Sequence, residues 1–243
     1  MIKLLLADVL PLEDPAVYAS LYDMASPERR RVADSFRFMK DRRLSVGASA
    51  LLDAGLKEFG LRERDMTYGR SEYGKPFFMN APDIHFNISH SSTKLAVAFS
   101  DREVGCDIEE VEQDAAKCLE ISGRFFCREE YLAVKAAKSP SECIRMFYRC
   151  WTLKESYMKA TGLGMTLTPD SFSVLDALDF TAGIPVADFN TPDSSSVLDV
   201  LPGLSSAPVP GYVFYTPDSF DGYECALCCR PEAGVPEVRL VTL

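Results

Sequence analysis

The sequence predicts an α+β fold, and three observations carry the prediction. Residues 2–9 open the chain as an apolar strand, and residues 84–89 and 95–99 read as an antiparallel pair joined across Ser91-Ser92-Thr93. From Ala115 the periodicity becomes helical and holds through Ala160. Short strands then return near residues 172–175, 211–215 and Tyr223–Cys229, in a stretch punctuated by seven prolines from Pro169 to Pro217.

In chain order, Ser26-Pro27-Glu28 is a helix start, with serine placed to cap the first free N–H groups and proline pre-set for the first turn. A second helix is expected over residues 40–59, and Gly74-Lys75-Pro76 is a turn. In strand 84–89, Ile84, Phe86 and Ile88 alternate with His85, Asn87 and Ser89, so the apolar set should pack inward and the polar set lie opposite. Helices are expected at Ala115–Phe125, 128–138 and 141–160, the last stopped by Thr161-Gly162. Residues 191–208 read as a surface loop.

Composition narrows the function. With 47% hydrophobic and 26% charged residues, the 243-residue chain is ordinary for a globular protein of one large or two small domains. No apolar run reaches the roughly 20 residues of a membrane span, and the N-terminal stretch is too short and too soon acidic for a secretory leader, so no membrane partner and a cytoplasmic location are expected. Eight cysteines include the pair spacing Cys225-Ala226-Leu227-Cys228-Cys229, but only His85 and His90 could complete a tetrahedral site. The stretch therefore reads as a buried strand with cysteine as a small hydrophobe, in a reducing compartment. A net charge of -10 argues against nucleic acid. The basic residues are uneven: Arg29, Arg30, Arg31, Arg37, Lys40, Arg42 and Arg43 crowd one segment, and none lies between Ala160 and Arg230. An anion is expected at the N-terminal half.

Two stretches carry the chemistry. In Gly105-Cys106-Asp107-Ile108-Glu109, both acids share one face of an extended chain while Ile108 takes the other. In Trp151-Thr152-Leu153-Lys154-Glu155-Ser156-Tyr157-Met158-Lys159, Glu155 and Lys159 are four apart and share a helical face. Three carboxylates with open positions suit a magnesium completed by a substrate's phosphates, and neighbouring lysines add point charges for a polyphosphate. Each residue alone is weak: acids at a strand end are usually solvated, and a helical Glu–Lys pair usually decorates a surface.

The blocks Tyr73-Gly74-Lys75-Pro76, Phe86-Asn87-Ile88-Ser89-His90-Ser91, Gly105 to Glu109, and Phe147-Tyr148-Arg149-Cys150-Trp151-Thr152-Leu153-Lys154-Glu155-Ser156-Tyr157-Met158-Lys159-Ala160 resemble, in order and spacing, the 4'-phosphopantetheinyl transferases of the surfactin-synthetase-activating type. The resemblance runs over about residues 1–230. It implies two similar α/β subdomains related by a pseudo-twofold, residues 1–104 and 105–243, with the active site in the cleft between them. It also implies transfer of the 4'-phosphopantetheine arm of coenzyme A to a serine of an apo acyl or peptidyl carrier protein by a monomeric enzyme.

The same resemblance places Asp107, Glu109 and Glu155 as magnesium ligands, with Glu155, Lys159 and Asp107 as the catalytic set. It places Arg29, Arg43, Lys75, Ser89, His90, Lys154 and Lys159 at coenzyme A, His90 on the 3'-phosphate. One departure is Val32, where relatives often carry a second basic residue. Trp151 reads as a packing anchor. Lys117, Arg124, Arg128, Lys135 and Lys138, with Leu119, Phe125 and Phe126, form a candidate patch for an acidic carrier. A non-catalytic carrier-binding module is the rival reading, and it leaves the three carboxylates without a task; a coenzyme A hydrolase or acyltransferase lacks a nucleophile–histidine motif.

Overall fold

A computed structural model describes residues 1–179, 209 and 211–243; the loop expected at residues 191–208 lies outside them. Strand β1 (Ile2–Asp8) is apolar on both faces because it is central. After it, α1 (Pro15–Met24) starts on an Asp-Pro signal that sequence analysis passed over, with Asp14 accepting from the Ala16 N–H. Helix α2 (Pro27–Ser35) is capped by Ser26, as expected, and α3 (Met39–Leu56) continues into a 3-10 turn at Lys57–Phe59. A small hairpin follows, β2 (Tyr68–Arg70) and β3 (Pro76–Phe78), then β4 (His85–Ser91) and β5 (Lys94–Ser100).

The second part of the chain runs β6 (Val104–Glu110), α4 (Ala115–Phe125), α5 (Arg128–Lys135), α6 (Pro140–Thr161), α7 (Leu175–Asp179), β7 (Val213–Tyr215), β8 (Tyr223–Cys229) and β9 (Glu237–Val241). Helix α6 is capped by Ser139, carries Pro140 in its first turn, and ends at Gly162 in the left-handed conformation, φ 68°. The strand expected at residues 172–175 does not form: a 3-10 turn at Pro169–Ser171 leads through Phe172 into α7.

Besides the β2–β3 hairpin, two larger sheets form among the described residues, ordered β4-β5-β1-β9 and β6-β8-β7. They stack face to face through Ile2, Leu4, Leu6, Ala96 and Ala98 against Cys106, Ile108, Cys225, Leu227 and Cys229. The outer face of the first sheet carries α3, through Leu51, Leu52 and Leu56 on Leu5, Val97 and Phe99. The outer face of the second carries α6, through Phe147, Cys150 and Leu153 with Ala226 and Cys228. All eight cysteines are free and buried, so Cys225, Cys228 and Cys229 serve as the small hydrophobes expected of them.

The chain does not divide cleanly at residue 104. Strand β9 crosses back and pairs in parallel with β1, Leu5 opposite Arg239.

Candidate active site

Strand β6 is the meeting place. One edge of it pairs with β8, Asp107 opposite Ala226. Its other edge faces β4, the outermost strand of the first sheet. Here the polar face of β4, opposite the apolar set as expected, is buried: Asn87 and Ser89 are 7% and 5% exposed. Their polar atoms take the N–H groups that an edge strand would leave free. Asn87 Oδ1 accepts from Cys106 at 2.9 Å, Ser89 Oγ from Ile108 at 3.4 Å, and Ser91 Oγ from Glu110 at 3.0 Å.

Helix α6 lies against β6 because Gly105 lets it. A Cβ at that position would sit 2.1 Å from the Ser156 carbonyl oxygen and 2.3 Å from the Ala160 nitrogen, a backbone approach that no side chain tolerates. This approach brings the 155/159 face of the helix to Asp107.

Lys159 Nζ donates to Asp107 Oδ1 at 2.6 Å and to Ser89 Oγ at 2.9 Å, and Ser89 Oγ donates to the same Oδ1 at 2.8 Å. Burial works against the Lys159 ammonium, but Asp107 more than offsets it, and the lysine pKa is raised. Asp107 Oδ2 is buried without a hydrogen-bond partner. A carboxylate oxygen withdrawn from water and left unpaired is costly, so it marks a place for something else to bind.

Glu109 takes a hydrogen bond from Ser91 Oγ at 2.8 Å, and burial, reinforced by the charge of Asp107, raises its pKa. Burial also raises the pKa of Glu155, with Lys159 opposing and Asp107 adding. Glu109 and Glu155 therefore each sense the charge of Asp107. Three carboxylates with an orphaned oxygen are the donor chemistry a hard divalent cation requires. Among the described residues, however, no three His, Cys, Asp or Glu side chains are closed into a ready-made metal site.

The remaining expectations divide. His90 is exposed at the rim of this cluster, its pKa lowered by partial burial and by Lys159. Arg29 lies on α2 and Arg43 on α3; each has a buried Nε–H without a partner, while Arg29 Nη2 donates to the Ser45 carbonyl and Arg43 Nη1 to Glu13.

Three other residues are already engaged elsewhere. Ser89 is committed to Asp107 and Lys159. Lys75 Nζ donates to the carbonyls of Val104 at 2.9 Å and Ala160 at 2.8 Å, tying the start of β6 to the end of α6, and burial brings its pKa down to about 8. Lys154 is directed away from the cluster: its Nζ is 2.7 Å from Glu130 and donates to the carbonyls of Pro169 and Phe172.

Trp151 packs as an anchor among Phe125, Phe126 and Phe147. In the patch suggested for a carrier, Phe125 is exposed but Phe126 is buried, stacked on Phe147. Sequence reasoning missed Ser91 as a partner of Glu109 and Glu130 as a partner of Lys154. The serine was legible as the next member of the alternating Asn87, Ser89, Ser91 set.

A lysine-braced aspartate with an unpartnered oxygen lies where β6 meets α6, with Glu109 two residues further along the strand and Glu155 on the same helix as the lysine. Residues 103–203 match the 4'-phosphopantetheinyl transferase superfamily. The chain is 35% identical over 164 residues to the 4'-phosphopantetheinyl transferase Sfp of Bacillus subtilis (strain 168), covering 67% of this chain and 71% of that protein. It is 37% identical over 150 residues to a second B. subtilis 4'-phosphopantetheinyl transferase, covering 61% and 65%. With the 4'-phosphopantetheinyl transferase gsp of Aneurinibacillus migulanus it is 29% identical over 244 residues, 100% of this chain and 92% of that one. The chain belongs to the 4'-phosphopantetheinyl transferase family.

Proposed function

We propose that this enzyme moves the 4'-phosphopantetheine arm of coenzyme A onto a serine hydroxyl of an apo acyl or peptidyl carrier protein, releasing adenosine 3',5'-bisphosphate. The observation that carries the reading is the Asp107 carboxylate, held by Lys159 and Ser89 on one oxygen and unpartnered on the other. Asp107, Glu109 and Glu155 are the residues that would hold a magnesium ion, which when bound supplies charge neutralisation for the pyrophosphate.

Phosphoryl transfer asks a protein mainly for position and charge. Lys159 supplies a cation held in place by Asp107, beside the position proposed for the phosphates. His90, at the rim, would receive the 3'-phosphate, and Arg29 and Arg43 are the further basic residues that this reading assigns to coenzyme A. The serine proton goes to Glu155, which shares a face of α6 with Lys159. The serine oxygen then bonds to the phosphorus as the bond to the bisphosphate leaving group breaks.

The test is incubation with coenzyme A, magnesium and a panel of apo carriers, reading each carrier by intact mass. A gain equal to one phosphopantetheine arm is expected on at least one carrier; no gain on any fatty-acid, polyketide or peptide synthetase carrier would defeat the reading.

A further inference from the structure

Strands β4 and β6 are the facing edges of two sheets, and side chains bridge them where a continuous sheet would have backbone hydrogen bonds. The bridging is periodic. Asn87, Ser89 and Ser91 each accept from the N–H lying 19 residues further on, in Cys106, Ile108 and Glu110. Ser89 and Ser91 each also donate to the acid 18 residues further on, Asp107 and Glu109, both at 2.8 Å. A serine hydroxyl has one hydrogen and two lone pairs, so each of these two serines aims one carboxylate and grips the N–H of the residue after it with the same atom. A slip of one residue would turn both acids to the opposite face of β6.

Resting on the transferase reading above, we propose that Ser91 is a positioning residue for Glu109, and that the Asn87-Ser89-Ser91 ladder sets the register in which β6 offers Asp107 and Glu109 on one face. Ser89 carries a double load, because it also receives Lys159. Ser91 has Glu109 as its sole side-chain acceptor among the described residues, which makes it the clean place to test the ladder.

The test compares Ser91→Ala with Ser91→Thr, which keeps the hydroxyl and suits a strand. Ser91→Ala is expected to lower kcat and the affinity for Mn2+, read by the EPR signal of the free ion, each by about tenfold to a hundredfold. KM for coenzyme A should stay within about twofold, since the loss falls on the chemical step. Ser91→Thr should restore both quantities, and Ser91→Ala added to Glu109→Ala should cost nothing further. Wild-type kcat and Mn2+ affinity in Ser91→Ala, a threonine variant no better than alanine, or a wild-type protein that binds no Mn2+ would overturn the proposal. If wild type modifies no carrier, the function proposed above fails, while the Mn2+ comparison still decides the role of Ser91.

Discussion

Helix α6 holds two lysine–carboxylate pairs that begin five residues apart and are finished differently. Lys154 meets Glu130 at 2.7 Å, and its other protons go to the carbonyls of Pro169 and Phe172 at 2.7 and 2.6 Å. Glu130, fully buried, also accepts from the N–H groups of Val174 and Cys127. That pair is closed. Lys159 meets Asp107 at a similar 2.6 Å, but Asp107 keeps one buried oxygen without a partner. In the closed pair all three ammonium protons and both carboxylate oxygens are engaged, ordering α5, α6 and the turn before α7. The open pair keeps capacity for a ligand.

Breaking the closed pair should have the largest effect. Removing one partner of a buried ion pair leaves the other charge stranded, so Lys154→Met is expected to lose about 3 to 5 kcal/mol of unfolding stability in urea melts. Lys154→Met/Glu130→Gln should recover part of that loss. A melt unchanged from wild type would show that the pair is not structural.

At the rim the expected effect is on binding. His90→Ala should weaken coenzyme A by about 1.5 to 3 kcal/mol, the range for a hydrogen bond to a charged group, and should leave 3'-dephospho-coenzyme A almost unaffected. Competition binding with both compounds measures this, and equal losses would remove His90 from the 3'-phosphate.

The smallest effect on stability is expected where the open pair is assembled. Gly105→Ala places a methyl group into the backbone of α6 and should cost about 1 to 3 kcal/mol, as overpacking does, with kcat falling because the 155/159 face is pushed from Asp107. If kcat survives in a destabilised Gly105→Ala protein, the close approach of helix and strand is not what places Lys159.

Much of this was legible in the sequence. Helix ends could be read because caps and stops are local: Ser26 before Pro27, Ser139 before Pro140, Gly162 after Thr161. Of the residues expected to converge, Asp107 and Lys159 are in direct contact.

The different fates of Lys154 and Lys159, both expected at coenzyme A, were missed although legible. Residues five apart on a helix point about 140° from each other, so both could not share the face of Glu155. The pairing of β9 with β1 was not legible, because a parallel contact between the two ends of the chain leaves no local trace. Nor was the irregular path at Phe172, whose alternating apolar letters suit a strand as well as a loop packed over Lys154. What covers the polar face of β4 was not legible either, because alternation gives the period of a strand but does not say what lies against each face.

The distinction between open and closed pairs comes down to activity per folded molecule. Asp107→Ala and Lys154→Met would be assayed side by side with an apo carrier that wild type modifies, at a temperature where circular dichroism shows both variants folded. Asp107→Ala is expected to keep its fold and lose about a hundredfold to a thousandfold in transfer rate, as when a preorganised charge-stabilising group is removed, while folded Lys154→Met works within about tenfold of wild type. A folded Asp107→Ala protein that transfers at the wild-type rate, or a folded Lys154→Met protein that is as inactive as Asp107→Ala, would contradict the distinction.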